Sequence, residues 1–417
     1  MSRLRFAGVA FVFLASSRFA SAADEPTQGD GTAARKEDAA TRAAETGKAP
    51  EDVTTKRIST EVAGYTDTDH ISVLTPSVAA SIENVTTGAS IRGSYLVDVV
   101  SAASVDIVST ASRRWVEARH AGSLEAEYKP HDFGVAVAGS ASSEPDYLSY
   151  GGGVTMTLDL FQKNLTLIGG YGYGHDTVGR SGTPFSVFSR EVHHGAFTAG
   201  LSGLYDRSTI ISGVLDVTLE NGDSSKPYRY VPMFSADEAA NVTSGASIDY
   251  VNAHRLFERP LEQLPLSRRR FAFTGRLAHR FDASTLRAEE RIYYDSWGLA
   301  ASTTDGRWLF DLGKRFAMGP HLRLHVQKGV SFWQLAYVSG PGPGWNLPEY
   351  RTGARELGPL WATTGGGGIK AFLGRDEDPK RYAIGLQGDV GYTAYSDDLY
   401  LTSRTMFLMS LRLEGEL

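Results

Sequence analysis

The sequence predicts an all-β fold: a single transmembrane, up-and-down antiparallel β-barrel of about 16 strands. Three observations predict it. Charged and apolar side chains alternate along many segments, tight turns alternate with long connections, and an N-terminal export segment precedes them. We found no uninterrupted apolar stretch after that segment with the roughly 20 residues of a membrane-spanning helix. The chain is therefore expected to cross a membrane with strands.

The alternation is clearest in VEARHAGSLEAEY, Val116–Tyr128. Successive side chains of a strand point to opposite faces, so Glu117, Arg119 and Glu125 share one face while Leu124 lies on the other. A soluble sandwich would turn the charged face to water and the apolar face to a core. A membrane barrel would turn the charged face to a wet lumen and the apolar face to lipid.

Turn and loop residues set the number of strands. Short polar turns are predicted at 84–88, 129–132, 161–164, 206–209, 282–284, 313–320 and 375–380, and long connections at 101–113, 175–189, 221–266 and 339–358. The strands predicted between them are 57–66, 70–83, 89–98, 114–128, 133–142, 148–160, 165–174, 190–205, 209–220, 268–281, 285–296, 305–313, 321–337, 359–373, 381–395 and 399–415. About 14 strands remain an alternative, because the 305–313 region is ambiguous. An even number places the tight turns and both termini in the periplasm and the long loops outside.

The first 56 residues predict export. Two early arginines, a short apolar run and Ala20-Ser21-Ala22 form the layout of a signal peptide, residues 1–22, with cleavage after Ala22. Residues 23–56 have almost no large apolar side chains and predict a disordered periplasmic tether. The barrel is then expected over residues 57–417.

Composition excludes several function classes. The chain has 417 residues, no cysteine and a formal net charge of −6. Disulfides, thiolate metal sites and cysteine nucleophiles are therefore excluded, and nothing favours nucleic acid as a partner. Glycine (45 residues), tyrosine and phenylalanine (19 each) are abundant, which is typical of membrane barrels and also of large secreted β proteins.

A predicted hairpin extends the charged face. The strands at 268–281 and 285–296 each place alternate charges on one side, and folding them together brings Arg276 near Glu289 and Arg291. Glu290 falls on the apolar side, at an interface or through a slip in register. The predicted lumen-lining residues are Glu117, Arg119, Glu125, Arg276, Arg280, Arg287, Glu289 and Arg291.

Three blocks resemble a family of bacterial outer-membrane β-barrels of unknown function. They are Tyr65–Val78, Gly93–Asp106 and Arg291–Trp308, the last with the family's Tyr–Asp–x–Trp–Gly pattern in RIYYDSWGLAASTTDGRW. The resemblance covers nearly everything after Arg57. It implies a barrel in the outer membrane and no particular reaction. The chain departs from the aromatic ending of such barrels, because its last residue is Leu417.

The search for catalytic motifs was negative. The sequence has no Gly-x-Ser-x-Gly, His-Glu-x-x-His or Walker-type motif, so we predict no enzyme and no cofactor. The carboxylates of Asp67, Asp69, Asp98 and Asp106 could gather a hard cation at the outer rim, but solvated loop carboxylates are the simpler interpretation. His193 and His194 point to opposite faces of a strand and should not share a metal.

The basic cluster Arg268, Arg269 and Arg270 follows the longest predicted loop. Three interpretations remain open: a rim that binds lipopolysaccharide phosphates, a loop that folds inward to constrict the bore, or a solvated loop whose arginines alternate between lumen and rim.

The predicted function is a porin-like conduit with a mixed-charge lumen in the outer membrane of a Gram-negative bacterium. Its partners would be the lipid bilayer, lipopolysaccharide and the outer-membrane assembly machinery, with small solutes or ions as possible cargo. The alternatives are a closed barrel with a structural or docking role, and an exported soluble β-sandwich. The sequence does not indicate whether the lumen is open or plugged.

Overall fold

A computed structural model shows a closed antiparallel barrel. It describes residues 54–102, 115–340, 346–375, 378 and 380–417. The predicted signal peptide, most of the tether and the metal candidate Asp106 lie outside the described residues. In the described residues, all sixteen barrel strands belong to one closed sheet, so the predicted fold class is confirmed and the β-sandwich alternative is wrong.

The barrel strands are β1 (Thr54–Asp67), β2 (Ile71–Asn84), β3 (Ala89–Ala102), β4 (Trp115–Tyr128), β5 (Phe133–Glu144), β6 (Tyr147–Leu160), β7 (Leu165–Val178), β8 (Arg190–Leu204), β9 (Thr209–Gly222), β11 (Ser267–Arg280), β12 (Ser284–Asp295), β13 (Ala300–Leu312), β14 (Phe316–Lys328), β16 (Leu360–Phe372), β17 (Tyr382–Tyr395) and β18 (Ser403–Glu416). The long connections carry β10 (Met233–Phe234), β15 (Tyr337–Val338), α1 (Ala236–Ala239), α2 (Ile248–His254) and a 3₁₀ turn at Arg355–Leu357.

Each barrel strand pairs with its neighbours in the chain, and β18 pairs with β1 from Arg57↔Glu416 to Asp67↔Met406. Closure leaves no unpaired strand edge in the barrel. The ring order is β1-β18-β17-β16-β14-β13-β12-β11-β9-β8-β7-β6-β5-β4-β3-β2, which places β12 opposite β3. One end of the barrel carries the long connections and is called the loop end. The other is the turn end.

The two faces of the wall differ in chemistry. Outward side chains form an exposed apolar band that includes Val62, Leu124, Phe273, Val326 and Leu411. Inward positions between them are polar, charged or small along most strands. No helix among the described residues is long and apolar enough to cross a membrane. The band is the surface that a barrel of this kind turns to lipid.

The observed strands differ from the predicted ones mainly at the loop end. The ambiguous segment 305–313 forms most of β13, so the barrel has 16 strands and not 14. β14 ends at Lys328, not at residue 337, because the apolar residues after it pack among the loops. β7 continues to Val178, so His175 is a strand residue and not part of a loop.

The glycine run Gly365–Gly368 on β16 makes room for a pair of side chains. His321 on β14 and Asp389 on β17 meet across β16, with Nε2 and Oδ1 2.5 Å apart. A Cβ on Gly366 would lie 2.0 Å from that same carboxylate oxygen and 2.4 Å from the backbone oxygen of Gly388. Gly366 is therefore the position where a side chain cannot be accommodated.

We expect Gly366→Ala to lower the free energy of unfolding by about 1–3 kcal/mol, the usual cost of overpacking. The matched control is Gly365→Ala, since its Cβ would meet only Leu322 Cδ1 at 3.9 Å. That variant should be unchanged or slightly more stable. Urea unfolding of the barrel in detergent measures both, and equal stability of the two variants would contradict the steric explanation.

Candidate functional site: the lumen and its cap

The inner wall carries charge of opposite sign on opposite sides. The strands β2–β5 present these inward carboxylates: Glu83, Asp98, Glu117, Glu125, Glu127 and Glu144. The strands β11–β13, across the ring, present these inward guanidinium groups: Arg268, Arg270, Arg276, Arg280, Arg287, Arg291 and Arg307. Each side also contains some residues of the other charge. Carboxylates still outnumber guanidinium groups on β2–β5, and guanidinium groups still outnumber carboxylates on β11–β13.

We call the carboxylate-rich side, β2–β5, the acidic wall, and local ion pairs connect its strands. Arg119 on β4 lies 2.7 Å from Asp98 on β3, and the same carboxylate accepts a hydrogen bond from the Thr75 hydroxyl at 2.6 Å. Arg92 lies 3.8 Å from Glu125. These pairs connect adjacent strands of the wall.

We call the guanidinium-rich side, β11–β13, the basic wall, and ion pairs connect its strands in the same way. Arg276 Nε donates to Glu289 at 2.5 Å, and the two residues are direct partners in the β11–β12 register. Arg280 pairs with Asp311 at 2.6 Å, and Arg291 lies 3.8 Å from Asp216 on β9. Arg287 and Arg307 are partners in the β12–β13 register, so two positive charges lie side by side.

Glu290 points outward, as the alternation predicts, and its register has not slipped. Its carboxylate accepts hydrogen bonds from the hydroxyls of Ser302, at 2.6 Å, and Thr304 on β13. These two bonds compensate in part for placing a carboxylate on the apolar face.

The basic cluster divides between the two faces of β11. Arg268 and Arg270 point inward, whereas Arg269 is exposed on the outer face. Arg268 Nε donates to Asp295 at 2.8 Å and its guanidinium lies 4.2 Å from the centre of the Trp297 ring. Arg270 pairs with Glu220. The inward arginines are thus held by partners on neighbouring strands and turns.

The Tyr–Asp–x–Trp–Gly pattern builds the β12–β13 turn. Asp295 is fully buried, and its Oδ1 accepts from the backbone N–H groups of Trp297 and Leu299 at 2.9 and 3.1 Å. Gly298 has φ +87°, a conformation that favours glycine. The Trp297 indole donates to the Ser267 carbonyl at 2.9 Å. The turn therefore fixes Arg268 and a tryptophan at the loop end.

The carboxylates considered for a cation do not converge. Asp67 accepts from the Tyr65 hydroxyl at 2.7 Å and from two backbone N–H groups, Asp69 pairs with Arg355 at 2.8 Å, and Asp98 pairs with Arg119. Within the described part of the chain, no group of three or more His, Cys, Asp or Glu side chains could hold a metal ion.

The long connections fold together at the loop end into a unit that we call the cap: residues 223–266, 329–340, 346–359 and 396–402. β10, in segment 223–266, and β15, in segment 329–340, pair in parallel. Two apolar clusters lie within it: Phe234, Val242, Ala246, Val251 and Leu399, and Val231, Met233 and Tyr337. The cap therefore has its own small cores, which are absent from solvated loops.

A buried carboxylate joins the two long cap segments. Glu262 lies 3.1 Å from Arg229 and accepts from the Thr352 hydroxyl at 2.6 Å and from the Lys226 N–H at 2.9 Å. Its side chain is fully buried. A buried charge with three partners is satisfied, and removing one partner would be costly.

The cap is attached to turns around the rim. Tyr228 donates to Asp146 in the β5–β6 turn at 3.1 Å, and Arg355 lies 2.8 Å from Asp69 in the β1–β2 turn. Within the cap, the Gly245 N–H donates to the carbonyl of Asp398 at 2.8 Å, which joins segment 223–266 to the connection between β17 and β18. These turns are spread around the ring, so the cap is held from several sides of the loop end.

Tyr337 lies in the middle of the cap. Its hydroxyl donates to the Phe332 carbonyl at 2.9 Å and accepts from the Thr352 N–H at 3.1 Å. Burial raises the pKa of Tyr337 to about 12 from 10.0, because the charged phenolate is poorly solvated there. The unfolded chain loses this proton first, so the contribution to stability is complete below pH 10 and lost towards pH 12.

We expect the free energy of unfolding of the wild type to fall more steeply from pH 10 towards pH 12 than that of Tyr337→Phe. Urea titrations of both proteins at a series of alkaline pH values measure this difference. Parallel curves would contradict the assignment of a raised pKa to this tyrosine.

Sequence reasoning missed several of these residues. Arg355, Glu262 and Tyr228 meet partners far away in the chain, and no local pattern marks such contacts. Asp69 was considered only as a cation ligand and not as the partner of Arg355. His175 was missed because the region after 174 was interpreted as loop, although the alternation Tyr171, Tyr173, His175 continues through it.

Residues 189–374 match the model of a family described as protein of unknown function (DUF3570). The matched range includes Arg291–Trp308, one of the blocks on which the family resemblance rests. No curated protein matches the chain.

Several solved structures are similar to the chain over most of its length. OpdO of Pseudomonas aeruginosa has 9% identity and a TM-score of 0.37, covering 87% of this chain and 97% of that one. OccK7 (OpdD) of the same organism has 8% identity and a TM-score of 0.41, covering 88% and 99%. A bacterial polysaccharide outer membrane secretin has 7% identity and a TM-score of 0.43, covering 88% and 99%. Likenesses at this level carry no information on what the chain does.

Proposed function

We propose that the protein is a gated channel in the outer membrane of a Gram-negative bacterium, and that the cap closes it at the loop end. One observation carries this: a charged inner wall, enclosed by an apolar outer band, in a ring of sixteen strands. A barrel of this size encloses more space than its side chains can fill. A wet bore explains why so many ionic side chains point inward. No catalytic role is proposed for them.

The apolar band supports the membrane placement. Lipid would contact the band, and the loop end would face outward, as in barrels whose turns are periplasmic. Arg269 is the member of the basic cluster that faces outward at this end, so it is our candidate for contact with lipopolysaccharide phosphate. The signal peptide, its cleavage after Ala22 and delivery by the assembly machinery remain part of this proposal. The tether predicted at 23–56 also remains, but it ends at residue 53 because β1 begins at Thr54.

The separation of charge suggests the class of solute. Carboxylates on β2–β5 and guanidinium groups on β11–β13 would set up a field across the bore. A small solute with a positive and a negative end would be oriented by that field, whereas a nonpolar solute would gain nothing. We therefore propose small ions and dipolar solutes as cargo.

Single-channel recording of refolded residues 23–417 in a planar bilayer tests the proposal. Discrete current steps that depend on salt, at a level independent of protein concentration, would support a channel. A folded, heat-modifiable barrel that gives no current, either intact or with its cap opened, would overturn it.

The cap also favours a second candidate function, a closed barrel with a docking role. Its outer surface exposes Phe257 at 93%, beside Tyr230, over whose ring Arg259 lies at 5.7 Å. An aromatic and arginine cluster of this kind is common in protein interfaces. Absence of current together with capture of a defined partner by the Phe257 surface would favour this candidate.

A further inference from the structure

A cluster of nitrogen and phenol groups lies on the outer face of β7 and β8, close to the loop end. His175 and His193 are direct partners in the register of these strands, and their Nδ1 atoms are 3.1 Å apart. The Tyr173 hydroxyl lies 2.8 Å from the same Nδ1 of His193. The ring of Tyr150 lies beside His175, with 5.1 Å between ring centroids. None of these side chains belongs to the lumen or to the cap.

The hydrogen bonds of this cluster are not satisfied simultaneously. The Nδ1 atom of His193 has a single lone pair when it is unprotonated, and both Tyr173 and His175 are placed to donate to it. If His193 carries the proton on Nδ1, it can donate to only one of the two. Three polar atoms therefore converge on one point with too few protons or lone pairs to pair them all.

A metal ion resolves this arrangement. With metal–nitrogen bonds of about 2.0 Å, two ligand nitrogens lie about 2.8 Å apart at a right angle and about 3.3 Å apart at a tetrahedral angle. The observed separation of 3.1 Å falls between these values. We propose that His175 and His193 bind a divalent late transition-metal ion through their Nδ1 atoms, with Tyr173 as the third ligand.

The ligand set indicates which ions fit. Imidazole nitrogens prefer Cu²⁺, Zn²⁺ and Ni²⁺ to Mg²⁺ or Ca²⁺, and Cu²⁺ is bound most tightly of these. Thr177 Oγ1 lies 3.4 Å from His175 Nε2 and can accept a hydrogen bond from the Nε2–H when Nδ1 binds the metal. His193 and Tyr173 are exposed, so an ion can enter from the surface. Water would complete the coordination.

A neighbouring pair on the barrel provides a matched control. On the same outer face, the Tyr95 hydroxyl lies 2.7 Å from His120 Nδ1, which repeats the contact of Tyr173 with His193. No second histidine is the register partner of His120 on either side, because Val97 and Ser143 occupy those positions. The proposal therefore predicts no metal binding at Tyr95–His120.

The experiment uses untagged, chelator-stripped protein, residues 23–417, refolded in detergent, with CuCl₂ and ZnCl₂ as probes. Titration calorimetry should give one equivalent of bound ion, and the electron paramagnetic resonance spectrum of Cu²⁺ should show coupling to two nitrogens. His175→Gln and His193→Gln should each weaken binding by at least about tenfold. Tyr173→Phe should weaken it less, and His120→Gln should leave it unchanged.

Heat-modifiable migration in gels will verify that each variant is folded. Absence of stoichiometric binding by the wild type would overturn the proposal. So would equal loss of binding in His120→Gln and His175→Gln, which would indicate adventitious binding by surface histidines only. None of these residues lines the bore. The metal-binding result and the single-channel recordings therefore test the two proposals independently.

Discussion

Opening the cap should convert a channel that is mostly closed into one that conducts steadily. Residues 226–262 can be replaced by a Gly-Ser pair, because Ser225 Oγ accepts from the Leu264 N–H at 2.9 Å and the cut ends already lie together. The excision removes β10, both helices and Glu262. We expect mean current through the variant to rise by at least about tenfold, since the bore of a barrel this wide would then be open to water.

A point substitution separates loss of the cap from loss of its attachment. Arg355→Met leaves the fully buried Asp69 without its cation at the β1–β2 turn. We expect more frequent openings at an unchanged conductance level, because the bore itself is not altered. The control is Arg57→Met, which breaks an ion pair of 3.3 Å with Glu416 at the turn end, far from the cap. Equal behaviour of the two variants would contradict a gating role for the Arg355 contact.

The barrel could be predicted from the sequence because its determinants are local. A period of two along each strand sorts side chains between lipid and lumen, and turn residues mark where each hairpin reverses. This is why the sequence alone predicts that Arg276 and Glu289 meet, as they do across β11 and β12. The same alternation put Glu290 on the apolar side, but it could not decide between an outward carboxylate and a slip in register, because the hydroxyl partners on β13 were not foreseen.

The cap could not be predicted, because its determinants are distant contacts. Apolar residues such as Val330 and Leu335 after β14 resemble a continuing strand, and only their packing among other loops shows that they are not. The pairing of β10 with β15 joins segments about a hundred residues apart. For the same reason the sequence left three interpretations of the arginine cluster open, and the choice depended on where Asp295 and Glu220 lie.

Reversing charge on the basic wall should change which ions pass. In Arg276→Glu combined with Arg291→Glu, two guanidinium groups are replaced by carboxylates that would face the acidic wall across the bore. We expect the reversal potential in a KCl gradient to shift toward cation selectivity, with the permeability ratio changing several-fold. The shift should shrink in about 1 M salt, where the screening length is only about 3 Å.

Two controls distinguish the pore wall from a general effect of charge. Arg269→Glu makes the same change of charge on β11 as Arg276→Glu, but on the outer face, and should leave the reversal potential unchanged. Exchanging Arg276 and Glu289, as Arg276→Glu with Glu289→Arg, keeps their cross-strand pair and the net charge of the wall. It should therefore conduct with nearly wild-type selectivity. If the double reversal conducts normally without any shift, these arginines do not line the path of the ions, and the lumen must be assigned differently.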